Sequence, residues 1–275
     1  METENLTLKE KCYAYQKAVN YFLDPDKYII AHIDGRSFSK MVKNKFNKPF
    51  DDKFIHAMNE TAICLCEEVQ GVQFAYVQSD EISLLIKKTT PEGQVFFGGR
   101  MCKLHSVIAS IATSRFNQVM MANLLESIPA CADTENAIEM CIGAVKGAPL
   151  YQFDCKVWNV ENANDAMAWF LFRNIDCIRN SKQQTCQTYL PHKVLMSKNT
   201  DEQVELLKTN KGVDWNKFTD DKKFGRLVKK IVVTHTLGEE TYERNKWEAF
   251  PFFDMTDIEK RENFIKEFNL IDENE

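Results

Sequence analysis

Several features are missing from this sequence, and each absence removes a class of protein. No stretch approaches the roughly 20 apolar residues of a membrane-spanning helix, so no membrane partner is expected. The nine cysteines include no Cys-x-x-Cys pair, and nine is an odd number. Cys64 and Cys66 fall on a helical pattern, which is poor geometry for zinc. A disulfide framework and a zinc site are set aside, and a reducing compartment is expected, cytoplasmic with a mitochondrial one as the other option. The opening Met1-Glu2-Thr3-Glu4-Asn5 lacks the apolar core of a secretory signal and the arginines of a transit peptide, so no leader is expected. Positive charge is short as well, with a net charge of −5. A non-specific nucleic-acid coat protein would be basic, so any nucleic-acid contact here must use local patches or a metal.

What is present is the composition of an ordinary globular protein, 44% hydrophobic and 27% charged over 275 residues. That length suits one large domain or a domain with a substantial appendage. Residues 28–33 are a short apolar run that predicts a buried strand ending at Asp34-Gly35-Arg36. The three- and four-residue spacing of Phe54, Met58, Ala62, Leu65 and Val69 predicts a helix over 51–69. Residues 72–77 and 82–86 read as a hairpin, Met101, Leu104, Ile108 and Ile111 as the inward stripe of a helix over 99–125, and 151–157 as another strand. The order strand, helix, strand, strand, helix, strand predicts an α+β, ferredoxin-like antiparallel sheet with helices on one face. Residues 162–190 read as helical. Beyond them the chain turns lysine-rich and ends in a hairpin, 231–236 with 241–247, turning through Leu237-Gly238-Glu239-Glu240. The expected organisation is a palm-like domain over 1–190 and a basic, helical and hairpin appendage over 191–275 packed on it.

The tip of the first hairpin, Gln78-Ser79-Asp80-Glu81, carries adjacent acids between apolar strands. Two carboxylates about 4 Å apart repel by roughly 4 kcal/mol at an effective dielectric near 20 unless a cation lies between them. In the predicted strand order the first and third strands lie side by side, so Asp34 and the tip acids would converge. Hard oxygen donors of this kind suit Mg²⁺ bridging to phosphates, and two such ions about 3.5–4 Å apart can serve phosphoryl transfer. Gly35 permits a close backbone approach or an unusual dihedral. Arg36, Ser37 and Phe38 would offer backbone N–H groups, and Arg36 a guanidinium, to a triphosphate. Lys48 precedes the first helix, and Arg100 and Lys103 share one face of the second, as further phosphate partners. His32 and His105 read as structural.

Four separated motifs now stand in order: His32-Ile33-Asp34-Gly35-Arg36-Ser37-Phe38, Gln78-Ser79-Asp80-Glu81, Gly99-Arg100-x-x-Lys103 and Phe153-Asp154-Cys155-Lys156-Val157-Trp158. Together they resemble the tRNA-histidine guanylyltransferase superfamily over most of residues 10–190. The resemblance implies a polymerase-type palm that adds nucleotides to the 5′ end of tRNA in the 3′-to-5′ direction, after activation of the 5′-monophosphate. It implies two Mg²⁺ ions held by Asp34, Asp80 and the Gly35 carbonyl, with Glu81 as an additional catalytic acid. It also implies contacts of Lys48, Ser79 and Asn180 with the triphosphate or activating nucleotide, ATP and GTP or other nucleoside triphosphates as substrates, and a homotetramer.

The sequence departs from the family pattern in two places. Enzymes devoted to tRNA-histidine carry His-Ile-Asn-Asn-Leu-Tyr-Asn after the segment matching Asp176-Cys177, whereas this chain reads Ile178-Arg179-Asn180-Ser181-Lys182-Gln183-Gln184. Lys156 replaces the usual arginine, keeping charge and losing the bidentate fork. The Arg-Asn-Ser form, with Asn245-Lys246 before Trp247, resembles the guanylyltransferase-like branch, whose members repair 5′-truncated tRNAs on the opposite strand as template. Templated repair is the expected activity, and guanylylation of tRNA-histidine the alternative. A class III-like nucleotidyl cyclase and a non-catalytic RNA-binding module share the sheet pattern; the second would present stacking aromatics where this chain presents acids. The basic stretch 193–230 is the candidate grip on the tRNA backbone.

Overall fold

The computed structural model describes residues 6–41, 46–128, 134–237 and 240–270. In chain order its elements are α1 (Leu8–Lys17), β1 (Tyr28–Gly35), α2 (Phe38–Met41), α3 (Asp52–Glu68), β2 (Val72–Gln78), β3 (Glu81–Ile86), α4 (Met101–Glu126), α5 (Thr134–Gly147), β4 (Phe153–Val160), α6 (Ala163–Tyr189), α7 (His192–Leu195), α8 (Thr200–Lys211), α9 (Asp220–Lys223), β5 (Arg226–Leu237), β6 (Glu240–Pro251) and α10 (Ile258–Glu267). The strands form one six-stranded sheet in the order β4-β1-β3-β2-β5-β6, antiparallel at every pairing. Its first four strands, with α3 and α4, make the expected ferredoxin-like unit.

The expectation of helices on one face is corrected. On one side α3 and α4 pack on Ile29, Ala31, Ile33, Ile82 and Leu84. On the other, α6 and α10 bring Met167, Phe170 and Phe264 against Ile30, Phe74 and Leu85. A strand covered on both faces cannot alternate apolar with polar residues. That is why β1 begins with the unbroken run Tyr28-Ile29-Ile30-Ala31, all buried.

The chain beyond residue 190 contributes to the same sheet. β5 pairs with the β2 edge through Ala75↔Val228, Tyr76↔Leu227 and Val77↔Arg226. β6 pairs with β5 along its whole length, while Gly238 and Glu239 of the expected turn lie outside the described residues. Two helices absent from the sequence expectation carry clear start signals. Thr7 and Glu10 form a capping box at α1, as Asn199 and Glu202 do at α8, the S/T/N-x-x-E pattern of a helix start.

One buried polar side chain ties these layers together. Asn174 on α6 is fully buried. Its Nδ2 donates to the carbonyls of Phe224 (3.0 Å) and Phe253 (3.1 Å), and its Oδ1 accepts the Met255 N–H (2.9 Å). Tyr76 beside it donates its hydroxyl to the same Phe224 carbonyl (2.8 Å). The loops entering β5 and leaving β6 are thereby fixed to α6, which carries one wall of the site.

Candidate active site

β1 and β3 end at the same edge of the sheet, and the β2–β3 turn is folded over that edge. Ser79 and Asp80 make the two-residue turn, with Ser79 at φ 43. The Gly35 N–H donates to the Asp80 carbonyl at 3.1 Å, which seats the turn on the end of β1. Asp34 lies opposite Glu81 on β3 and Asp154 on β4. Residues directly opposite in a sheet point to the same face, so three acids form a row with Asp80 beside it. Burial first, then Asp80, Glu81 and Asp154, push the Asp34 carboxyl up to about 6. Burial likewise raises Asp80, against the Ser79 hydroxyl that donates to its Oδ1 at 2.9 Å. Neither aspartate is ion-paired to a lysine or arginine among the described residues.

Glu81 behaves differently from its neighbours. Its Oε2 accepts from the Arg173 guanidinium and from Gln78 Nε2 at 2.8 Å. Arg173 also holds Asp176 (2.8 Å), and Arg179 holds the other oxygen of Asp176 (2.7 Å). Asp34, Asp80 and Glu81 thus converge as expected, and α6 supplies Glu81 with its own cation, which leaves Asp34 and Asp80 as the pair without one among the described residues. Among the described residues no group of three or more His, Cys, Asp or Glu is placed to hold a metal.

Two unneutralised carboxylates beside a backbone carbonyl still fit Mg²⁺, which takes one or two carboxylates from protein and its other ligands from water and phosphate. The donor set is hard oxygen throughout, and the raised carboxyls mark a place where positive charge is missing. Asp34, Asp80 and the Gly35 carbonyl are the residues that would hold such an ion.

A cleft opens beside this edge. Lys48, Ser79, Asp80, Glu81 and Asn180 all line it, together with Phe46, Phe50, Gln184, Lys222 and Arg226. Five residues expected at the site are thus brought together from three remote segments. The loop bearing Lys48 is held by Asp51, the N-cap of α3. Its two oxygens accept the Phe54 N–H (3.0 Å) and the Asn47 N–H (2.9 Å), so one capping carboxylate sets both the helix start and the loop. Ser181, next to Asn180, turns inward, donating to the Lys222 carbonyl (2.9 Å) and accepting from Trp215 Nε1 (2.9 Å).

Other expected residues do not line this cleft. The Phe38 side chain is buried in the core against Phe54, Phe116, Tyr151 and Phe153. Of the backbone N–H groups expected to meet a triphosphate, that of Arg36 donates to the Gln152 carbonyl (2.8 Å), while its guanidinium donates to Gln152 Oε1 (2.9 Å) and Ser37 turns the chain at φ 58. Lys103 does not line the cleft, and its Nζ lies 6.0 Å from the centre of the Phe97 ring. The Met101 N–H donates to the Tyr21 carbonyl and the Leu23 N–H to the Gly99 carbonyl, both 2.9 Å, which ties the start of α4 near the start of β1. Two residues beyond Lys103, His105 reaches the carbonyl of Cys155, which lies opposite Ile33 on β1. His32 lies 3.2 Å from Ser83 Oγ, and His105 donates to the Cys155 carbonyl, in keeping with structural roles. Gln78 and Asp154 lie inside the sequence motifs but have no role of their own there, and Arg173 and Arg226 have no local pattern that marks them.

Gly35 is required for close approach. A Cβ there would stand 2.5 Å from Phe38 Cδ2, and the ring has no room to retreat. Overpacking of this kind costs about 1–3 kcal/mol, so Gly35→Ala is expected to lower the melting temperature by several degrees and to reduce activity further by displacing Asp34. A melting curve and activity both matching wild type would show that the ring yields freely.

A family model described as tRNAHis guanylyltransferase matches residues 9–161. Among curated proteins, uncharacterized protein R259 of Acanthamoeba polyphaga mimivirus is 26% identical over 243 residues, 83% of this chain and 79% of its own. tRNA(His) guanylyltransferase 1 of Arabidopsis thaliana is 30% identical over 181 residues, 66% of this chain. The chain spans only 28% of that relative's length. Among solved structures, a bacterial tRNA(His) guanylyltransferase-like protein in complex with ATP matches with a TM-score of 0.76 at 26% identity, covering 95% of this chain and 98% of the other.

Proposed function

The chain belongs to the tRNAHis guanylyltransferase family of nucleotidyltransferases, and on that premise we propose that it adds nucleotides to the 5′ end of tRNA in the 3′-to-5′ direction, directed by the opposite strand. The observation that carries the reading is the pair Asp34 and Asp80, half-buried and without an ion-pair partner among the described residues, with Asp80 lining a cleft that also presents Lys48, Ser79 and Asn180. A non-catalytic RNA-binding module has no use for such a pair, which repels phosphate unless a cation intervenes.

The chemistry has two balanced steps. An oxygen of the tRNA 5′-monophosphate attacks the α-phosphorus of ATP, forming a phosphoanhydride and releasing pyrophosphate. The 3′-hydroxyl of the incoming nucleoside triphosphate then attacks the tRNA 5′ phosphorus, forming a phosphodiester and releasing AMP. Mg²⁺ bound at Asp34, Asp80 and the Gly35 carbonyl would supply Lewis-acid stabilisation of the phosphoryl oxygens. Lys48 contributes charge to the phosphates, the Ser79 hydroxyl donates to them once a metal ion takes its place on Asp80, and Asn180 offers an amide to the nucleotide. Glu81, held by Arg173 and Gln78, keeps the turn bearing Asp80 in place.

The branch-distinguishing segment 178–184 bears on the cleft through Asn180, Ser181 and Gln184, of which Ser181 is committed to internal hydrogen bonds. Base selection by this short polar set is weak, which suits pairing within the tRNA as the selector. The lysine-rich stretch gives less support to a tRNA grip than its charge suggested. Lys222, Lys223 and Lys229 are paired with Asp52, Asp220 and Glu267, so much of their charge is already neutralised. The homotetramer is part of this reading, and the apolar face of α5, where Ile138, Ile142 and Val145 are about half exposed, offers it one contact surface. The second reading, guanylylation of tRNA-histidine, is favoured by the named relatives.

A tRNA lacking its first nucleotide and intact tRNA-histidine, each with ATP, the four nucleoside triphosphates and Mg²⁺, separate the two. Repair predicts preferential extension of the truncated tRNA by the templated nucleotide. Product on tRNA-histidine alone would support the second reading, and product on neither would sink both.

A further inference from the structure

We propose that Arg226 anchors a phosphate subsite in the cleft, on its α3 side and separate from the Asp34–Asp80 pair. The inference rests on reading the cleft as the seat of phosphorylated substrates. Arg226 opens β5 opposite Val77, whose side chain belongs to the core under α3. The guanidinium is thus carried toward α3, where its Nε donates to Asn59 Oδ1 at 3.0 Å. The residue is 5% exposed, yet it forms no ion pair among the described residues. Its Nη2 is sealed from solvent without a partner, while the residue lines the cleft.

Arginine is almost never buried unless paired, because an isolated buried charge is costly. The other buried arginine obeys that rule, since Arg173 holds both Glu81 and Asp176. Arg226 has only a neutral amide. The other charges on the cleft wall do not complete it. Asp51 spends its oxygens on two backbone N–H groups, and Asp221 acts on Arg226 from beyond ion-pair distance. Asp80 and Glu81 stand at the sheet edge, the latter already paired. Lys48 and Lys222 line the same cleft. Lys222 is paired with Asp52, but an unpaired guanidinium with Lys48 on the same cleft is the chemistry that receives a phosphate, for which the planar fork of arginine is well matched. The phosphate can come from the nucleoside triphosphate or from the 5′ end of the RNA.

Three ligand comparisons test this: ATP against adenosine, a 5′-phosphorylated RNA hairpin against its 5′-hydroxyl form, and pyrophosphate alone. Affinities are measured by calorimetry on wild type, Arg226→Gln and Asn59→Asp, with thermal melts of each. Asn59→Asp keeps the guanidinium in place and supplies the missing counter-ion, so it is informative even if Arg226→Gln does not fold. Both variants are expected to weaken pyrophosphate and one of the two phosphorylated ligands at least tenfold, with the dephosphorylated forms unchanged. Asn59→Asp is expected to melt higher than wild type. Which ligand loses affinity, ATP or the RNA, identifies the source of the phosphate. Equal losses with and without phosphate, or none, would overturn the subsite. Arg226-dependent pyrophosphate binding without binding of ATP or RNA would keep the subsite and remove the proposed function instead.

Discussion

Asp34→Asn is expected to abolish nucleotide addition and, in the metal-free protein at pH 7.5, to raise the melting temperature. Asp34 is half-buried among Asp80, Glu81 and Asp154, and its carboxyl is pushed up to about 6. An unfolded aspartate titrates near 3.9, so the folded state holds this proton more tightly. Between about pH 4 and 6 the folded protein binds more protons than the unfolded chain, and stability falls as pH rises through that window. Above it the ionised carboxylate carries its full unfavourable interaction. Asparagine has the same shape without the charge, so the variant should lose this part of the pH dependence and gain most at neutral pH. Removing a preorganised electrostatic element from a phosphoryl-transfer site costs about 10²–10³ in rate or more. Melts in EDTA at pH 5 and 7.5, with single-turnover extension assays, read both effects. A variant that melts below wild type at pH 7.5 would mean that Asp34 is not under electrostatic strain.

The largest loss of stability is expected at a residue that touches no substrate. Replacing Asn174 with leucine leaves the Met255 N–H and the Phe224 and Phe253 carbonyls without this partner inside the fold. Each buried polar group so orphaned costs about 1–3 kcal/mol. The Phe224 carbonyl keeps the Tyr76 hydroxyl, so a total near 4 kcal/mol is expected, at the upper end of single substitutions. For a chain of this size that corresponds to a fall of about 8–16 °C in melting temperature. Urea unfolding of Asn174→Leu, with Asn180→Ala as a surface control on the same helix, measures it. A loss under about 1 kcal/mol would show that the loops around β5 and β6 are held by their apolar contacts alone.

The catalytic-edge strands and the long helices are legible in the sequence because their signals are local. The apolar run before Asp34 makes β1, the stripe from Phe54 to Val69 makes α3, and the strand order puts Asp34 beside the β2–β3 turn. What periodicity does not encode is the pairing of charges across remote elements. Glu81 looked equivalent to Asp80, yet an arginine 92 residues away claims it. Lys103 reads as a phosphate ligand from its place in the first turn of α4, and nothing local states where that turn lies against the sheet. Arg226 looked like one more base in a lysine-rich stretch.

The chain pattern alone therefore determines that two carboxylates meet at a sheet edge, since strand register follows from apolar runs and short turns. The tertiary packing alone decides which charges are neutralised and which are left bare. Burial makes an unpaired charge expensive, and only the packed structure tells which partners come within reach. Arg173 found two carboxylates and Arg226 found none. That difference separates a structural arginine from one that awaits a ligand.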